Sequence, residues 1–200
     1  MSRAEVTRWG DADFVRGVLP SLQKLFLAKS PIADVDVRGI TVGLDGALSE
    51  LVDADFQDTR VTALSASFGK FSCSFSRAQI ATSQFESCAF DTCRFKSSRF
   101  TLSSFERATF DNPTLDDAHF LQCGFSAARI TGRRTREYGG RRVLFEKCDF
   151  SNTEFRSLQL RACSFRDCVW TGTQFVACLL SGTKFEGSAP PHESFRDCVV

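Results

Sequence analysis

The segment 83–110 reads SQFESCAFDTCRFKSSRFTLSSFERATF, in which phenylalanine returns at every fifth position. The same period runs from Cys73 to Phe185 with almost no exception, and the apolar residue at each fifth position is called a centre below. Sixteen of the 23 centres are phenylalanine. The centres are Phe75, Ile80, Phe85, Phe90, Phe95, Phe100, Phe105, Phe110, Leu115, Phe120, Phe125, Ile130, Phe145, Phe150, Phe155, Leu160, Phe165, Trp170, Phe175, Leu180, Phe185, Phe195 and Val200.

The residue two positions before a centre is almost always small, with Pro113, Val143 and Leu158 as the main exceptions. A period of five fits neither the α-helix, at 3.6 residues, nor the simple strand, at 2. If the small residue and the centre both point inward from a very short strand, the next two residues can turn a corner. Four such sides close a square coil of about twenty residues, and the next coil stacks about 4.8 Å above it.

This pattern resembles the pentapeptide-repeat family, whose repeat runs small residue, Asp or Asn, Leu or Phe, and then two polar residues. Residues 54–58 (ADFQD) and 148–152 (CDFSN) match that repeat position by position. The resemblance covers roughly residues 46–200. It implies an all-β fold, a right-handed quadrilateral β-helix, and it leaves the function open because fold does not imply function.

The amino-terminal part has a different pattern. Residues 11–29 read as an amphipathic helix, and Pro20 is expected to divide it into two short helices. We expect residues 1–34 to form a helical cap over the first coil and residues 35–200 to form the β-helix. The alternative is a partner-binding or dimerisation helix, for which Trp9 would be the anchor.

The repeat is degraded before Phe75. Phe68 and Phe71 fall out of phase with Phe75, which predicts a register slip of one residue. We expect a bulge near Gly69 and Lys70 to absorb it.

A second interruption, residues 131–144, has no apolar residue at Thr135 or Gly140, so we predict a loop that projects from the solenoid. Counted with Arg129, it carries six Arg and one Glu in a chain of net charge +1. A charged loop with the one tyrosine on a rigid scaffold is typical of a recognition element. The alternative is a tolerated insertion without a binding role. The candidate partner-binding residues are Arg133, Arg134, Arg136, Tyr138, Arg141, Arg142 and Trp9.

The nine cysteines are separated by multiples of five, and each occupies the small inward position. They read as buried free thiols that pack as small apolar groups, and neither a metal site nor a cofactor is predicted. So many free thiols favour a reducing compartment. With no signal-peptide core and no membrane-spanning apolar run, a cytoplasmic protein without membrane contact is expected.

No arrangement of residues predicts catalysis. The two histidines, His119 and His192, read as surface residues, and no phosphate-binding loop, dinucleotide fingerprint or nucleophile elbow is present. The outward carboxylates fall on successive sides of the square and do not converge. We therefore expect a binding protein and not an enzyme, with no catalytic residues.

Two functional hypotheses follow. The resemblance implies a protein that binds DNA gyrase or another type II topoisomerase and protects it from an antibiotic or toxin, as several family members do, some through a projecting loop. The second hypothesis is an adaptor or immunity protein that binds a toxin or another protein through the amino-terminal segment and the Arg-rich loop. Direct nucleic-acid binding is not expected, because the chain outside the loop is net negative. Since the chain stops at Val200 within a repeat, a homodimer through the C-terminal coil is also expected.

Overall fold

The structure, a computed structural model, describes residues 3–44, 47–51, 53–133 and 138–199. Two helices come first, α1 (Arg3–Thr7) and α2 (Ala12–Phe26), with a 3-10 turn at Arg8–Gly10 between them. The strands that follow are short. They are β1 (Ile32–Ala33), β2 (Thr41–Val42), β3 (Arg60–Thr62), β4 (Lys70–Phe71), β5 (Gln79–Ala81), β6 (Ala89–Asp91), β7 (Arg99–Thr101), β8 (Thr109–Asp111), β9 (His119–Leu121), β10 (Arg129–Thr131), β11 (Gly139–Arg141), β12 (Leu144–Glu146), β13 (Glu154–Arg156), β14 (Gln159–Arg161), β15 (Ser164–Arg166), β16 (Gln174–Val176), β17 (Lys184–Glu186) and β18 (Phe195–Arg196). Short 3-10 turns also occur at Ser49–Leu51 and His192–Ser194.

The strands stack in parallel into a four-sided coil. Side 1 is the eight-stranded sheet β1-β3-β5-β7-β9-β12-β15-β17, and side 3 is the sheet β2-β4-β6-β8-β10-β13-β16-β18. Side 2 is a column of isolated parallel bridges from Asp36 to Val169. Side 4 is a similar column from Ser74 to Val199 that includes the β11–β14 pair. The chain visits the sides in the order 1, 2, 3, 4, which confirms the predicted quadrilateral β-helix.

The interior is filled by in-register columns of aromatic rings. Phe85 lies on Phe105 with ring centroids 5.2 Å apart and planes 8° apart, and the Phe105–Phe125 pair continues the column at 5.0 Å. Rings on neighbouring sides meet edge to face, as Phe100 does with Phe105 at 69°. Each buried ring stabilises the fold by about 1.5–3 kcal/mol relative to an exposed one.

The small inward positions lie between these columns, and all nine cysteines are free thiols. Their S–H groups point at backbone carbonyls of the coil below, as Cys148 does toward the Phe120 oxygen at 3.3 Å. Burial raises the pKa of Cys178 to about 12 and that of Cys163 to about 11, so both stay protonated at neutral pH. A buried, protonated thiol packs as a small apolar group.

The corners use left-handed backbone at the second residue after a centre. Residues of many types adopt this conformation, from Asp58 at φ 61° to Thr82 at φ 47°. Phe71 is itself a centre, since it pairs with Phe90 on side 3. The register slip therefore lies between Phe71 and Phe75, in a corner one residue short, and not at Gly69 and Lys70 as predicted.

Every departure from the five-residue step occurs on the edge between sides 3 and 4, within the part of the chain that the structure describes. The step from Val42 to Phe56 is long, the step from Phe71 to Phe75 is short, and the step from Ile130 to Gly140 is long. The other three edges keep the period of five. The chain length on this one edge is therefore free to vary.

The helices close the first coil. Leu22, Leu25 and Phe26 of α2 are buried in the core, and the Phe26 ring meets Phe56 edge to face at 5.0 Å. This confirms the predicted N-terminal helical cap. Pro20 does not divide the helix as predicted, because the buried apolar residues on its C-terminal side hold that turn against the coil. The domain boundary at residues 34 and 35 stays a prediction, and β1 already pairs with β3 before it.

None of the described helices is long and apolar enough to cross a membrane.

Candidate partner-binding site

The predicted loop, residues 131–144, is much shorter in the structure. Thr131 ends β10, Gly139–Arg141 forms β11 in the wall of side 4, and Leu144 begins β12. Between Thr131 and Gly139 lies the segment 132–138, of which the structure describes Gly132, Arg133 and Tyr138. Of the predicted site residues, Arg134 and Arg136 lie outside the described residues, whereas Arg133 and Tyr138 mark the two ends of the segment.

The pairing shows that one whole repeat leaves the coil. Ile130 pairs with Phe110, twenty residues before it, and with Phe155, twenty-five residues after it. The coil that contains the segment is thus five residues longer than its neighbours. The sequence pattern hid this arrangement because Gly140 occupies a centre without carrying a side chain.

Gly140 fits at a centre because its neighbours are enlarged. A Cβ atom on Gly140 would lie 2.6 Å from Cγ2 of Val143 and 2.9 Å from Cβ of Leu115. Val143 is buried at a position that is small elsewhere in the solenoid, so it fills the space that a larger centre would take. Leu158, another large residue at a small position, contacts the Cβ position of Gly132 at 3.1 Å.

The missing outward side chain at Gly139 opens a cleft of about 410 Å³ on side 4. Gly139 has φ 118°, and a Cβ atom there would lie 2.3 Å from the backbone oxygen of Gln159, so only glycine fits. The cleft is lined by Asp116, Tyr138, Gly139, Gly140, Arg141, Gln159 and Arg161.

Two of the predicted arginines are held by carboxylates of the coil below. The Arg142 guanidinium donates from Nε and Nη2 to the two oxygens of Asp117 at 2.7 and 2.8 Å. Arg142 thereby holds the pKa of Asp117 below its usual range. The backbone N–H of Arg141 donates to Asp116 at 2.8 Å, while its guanidinium Nη2 lies 3.8 Å from that carboxylate. Arg142 therefore binds the Asp117 carboxylate through two parallel hydrogen bonds. Among the described residues, the Arg141 guanidinium keeps donors that a partner could use.

Arg161 is the second basic residue that lines the cleft, whereas Arg133 is not part of its lining. The Arg133 backbone N–H donates to Oδ1 of Asn112 at 3.0 Å, and its side chain is exposed. Arg161, which the sequence reasoning missed, pairs in register with Arg141 on the next coil. The sequence did contain a signal for Arg161, because Asp116, Arg141 and Arg161 each directly follow a centre on side 4.

The structure does not bring Trp9 together with the arginines. Its indole Nε1 donates to the backbone oxygen of Arg38 at 2.8 Å, and its ring meets Phe14 edge to face at 5.2 Å. Next to it, the Arg8 guanidinium binds both oxygens of Asp36 at 2.9 and 2.7 Å. These contacts fix the cap on the first coil, and a partner-binding role for Trp9 stays a prediction.

His119 lies on side 1, away from the cleft. Its Nε2 is 3.7 Å from Glu146, and burial together with the neighbouring Arg99 lowers the pKa of the imidazole. The ring is therefore neutral at physiological pH.

Comparisons with known proteins agree with this architecture. A family model for the pentapeptide repeat region matches residues 141–200. The β-helix and this match confirm the predicted resemblance to the pentapeptide-repeat family.

Among solved structures, a trypsin-treated variant of QnrB1, a plasmid-mediated fluoroquinolone resistance protein, has 16% identity to this chain. The match covers 83% of this chain and 80% of that one, with a TM-score of 0.57. A second trypsin-treated QnrB1 variant has 17% identity, covers 84% and 81%, and has a TM-score of 0.50. HetL from the cyanobacterium Nostoc sp. strain PCC 7120, involved in heterocyst differentiation regulation, has 9% identity, covers 84% and 86%, and has a TM-score of 0.34. At these identities the likeness concerns the fold alone. No curated protein sequence matches the chain significantly.

Proposed function

We propose that this chain is a non-enzymatic solenoid that binds a protein partner on side 4, and that the partner is DNA gyrase or another type II topoisomerase. The observation that supports the binding role is the cleft lined by Arg141 and Arg161, next to the point where the chain has one extra repeat between Ile130 and Gly140. Charged side chains held on a rigid scaffold next to a projecting segment are typical of a recognition surface. The choice of gyrase rests on the likeness in fold to QnrB1 and on the resemblance to family members that protect gyrase.

The charge of side 4 favours an acidic contact on the partner. Its outward residues include Arg94, Lys96, Arg141 and Arg161, with Asp116 and Asp117 among them. A positive wall attracts a negative surface and would be repelled by a DNA-binding groove, which is itself positive. We therefore propose a gyrase contact outside its DNA path rather than imitation of DNA.

The test is a gyrase supercoiling assay with and without a fluoroquinolone. Deleting residues 133–137 removes five residues and returns the coil to twenty, so β11 keeps its pairing with β14. We expect the wild-type chain to preserve supercoiling in the presence of the drug and this deletion to abolish the effect. A matched variant with Gln at positions 133, 134 and 136 keeps the length and separates charge from shape. If the wild-type chain neither protects nor inhibits gyrase, the topoisomerase assignment is overturned.

The same basic wall favours a second candidate, an adaptor or immunity protein whose partner is an acidic toxin or other acidic protein. Trp9 is engaged in the cap, so in this version side 4 would carry the contact. Co-purification of a toxin that is lost on deleting residues 133–137, together with a null result on gyrase, would support it. A homodimer through the C-terminal coil and a cytoplasmic location stay predictions.

A further inference from the structure

Outward charges on this solenoid are stacked mostly with opposite sign. On side 1, Glu146, Arg166 and Glu186 follow one another in register, and Arg166 Nε lies 2.7 Å from Glu186. On side 3, Arg129 pairs with Glu154 at 4.0 Å. Because strands of neighbouring coils are only about 4.8 Å apart, such alternation satisfies each charge inside the protein.

Arg141 and Arg161 break this rule, since they are register partners of the same sign. Asp91 and Asp111 are also stacked, but both are exposed and water hydrates them. Arg161 is half-buried instead. Its Nε is buried without a hydrogen-bond partner, and it forms no ion pair within the described part of the chain. A buried guanidinium donor without an acceptor is costly unless a ligand supplies one.

The cleft beside this pair continues toward the C-terminal coils. A second cleft of about 320 Å³ shares Gln159 with the first and is lined by Ser157, Leu158, Gln159, Ala177, Leu179 and Asp197. The two form one groove along side 4, with a cationic half at Arg141 and Arg161 and a second half without a cation, in which Leu179 lies among apolar and polar residues.

We propose that this groove binds an extended acidic peptide segment of the partner, with a carboxylate held between the guanidinium groups of Arg141 and Arg161. An apolar side chain two residues along the extended peptide, which points to the same face as the carboxylate, then packs on Leu179. Arginine forks match the geometry of a carboxylate and bind it through paired, charge-assisted hydrogen bonds. The inference rests on the proposed function only in taking the partner to be a protein.

The groove favours a peptide over a nucleic-acid strand. Asp116 lies at one end and Asp197 at the other, where a phosphate backbone would meet repulsion. The half of the groove at Leu179 contains no cation that could bind a second phosphate. A peptide with one carboxylate and apolar side chains near it fits both halves of the groove, because the carboxylate binds the arginines and an apolar side chain packs on Leu179.

Fluorescence polarisation tests the proposal on the full chain, with a labelled peptide that carries one Glu and a Leu two residues after it. A peptide with Gln in place of Glu is the matched probe. We expect the Glu peptide to bind at least tenfold more tightly than the Gln peptide, and Arg161→Gln to weaken it about tenfold. Arg161→Lys keeps the charge and loses the fork, so it should fall between wild type and Arg161→Gln.

The control is Arg166→Gln, which removes one positive charge from side 1. It should change the affinity less than twofold, and circular dichroism melts show that each variant is folded. Equal binding of the two peptides, or an equal loss in Arg166→Gln, would overturn the proposal. So would binding of a DNA duplex that depends on Arg161 when the Glu peptide does not bind. Should gyrase be protected while the peptide fails to bind, this inference falls and the proposed function stands.

Discussion

The regular coils, residues 75–130, and the wall around Gly140 are built on one ladder but are stabilised differently. In the regular coils each centre carries a large side chain, and most centres are phenylalanines whose rings stack between coils, as Phe105 does on Phe125 at 5.0 Å. Around Gly140 the centre is empty, and the space is filled from the side by Val143. The backbone pairing is the same in both regions. The parallel backbone pairing therefore determines the shape of the coil. The core only requires that its volume is filled, and the side chain that fills it can come from a centre or from a neighbouring position.

The largest expected effect tests the regular coils. Phe125→Ala empties a fully packed position in the ring column, and we expect a loss of about 3–5 kcal/mol in the free energy of unfolding. Phe125→Leu, which keeps most of the volume, should cost much less. Urea denaturation followed by circular dichroism measures both. Similar small losses for the two variants would show that ring stacking is not what stabilises these coils.

The second prediction concerns the compensation at Gly140. Gly140→Ala alone places a methyl group against Val143 and should cost about 1–3 kcal/mol, and Val143→Ala alone should cost a similar amount. The double variant should recover part of the loss, because the new methyl group enters the vacated space. A double-mutant cycle by urea denaturation gives the coupling, and additive losses would contradict lateral filling.

The comparison extends to the first coil, where an ion pair between Arg8 and Asp36 joins the helical cap to the wall. The hydrogen bond from Arg8, followed by that from Arg38, holds the pKa of Asp36 well below its usual range. Since the folded pKa lies below the unfolded one, the stabilisation is present above about pH 4 and is lost as pH falls below it. Asp36 is partly exposed, so the size is about 1 kcal/mol after solvent screening.

We expect Asp36→Asn to be less stable than wild type at pH 7, and we expect the difference to shrink progressively as pH falls below about 4. Thermal melts across this range provide the measurement. A constant difference between the two proteins at every pH would show that the carboxylate charge does not stabilise the cap.

The smallest effect concerns the corners. Thr82 is exposed and has φ 47°, a conformation that β-branched residues disfavour and asparagine tolerates. Thr82→Asn should therefore stabilise the fold by about 0.5 kcal/mol. The matched control is Thr62→Asn in strand β3, where β-branched residues are preferred, and it should be neutral or destabilising. A loss of stability in Thr82→Asn would contradict the account of the corners.

The period of five predicted short stacked strands in which each Phe and its small companion face inward together, whereas the square cross-section and the right-handed coil came with the family resemblance. The same method misplaced the ends of the loop, since it identified centres by their side chains and Gly140 has none. The enlarged residues Pro113, Val143 and Leu158 were visible as exceptions, and in the structure Leu158 lies beside Gly132 and Val143 beside Gly140. Arg161 was missed although it lies twenty residues after Arg141, because the empty centre at Gly140 led the sequence analysis to place Arg141 in the loop and not in the wall.

Prediction from the sequence pattern also failed at Pro20 and at the register slip. Proline usually ends a helix, yet α2 continues because its next turns are buried against the first coil. Tertiary packing of this kind overrides local preference and leaves no periodic trace.

The edge between sides 3 and 4 has a consequence for how such proteins change. Residues can be added or removed there, as between Val42 and Phe56 or between Ile130 and Gly140, while every later side chain still faces its own side. Evolution can therefore lengthen or trim an appendage at this edge without rebuilding the body of the protein. The same property makes the edge a natural place to graft a foreign peptide for display.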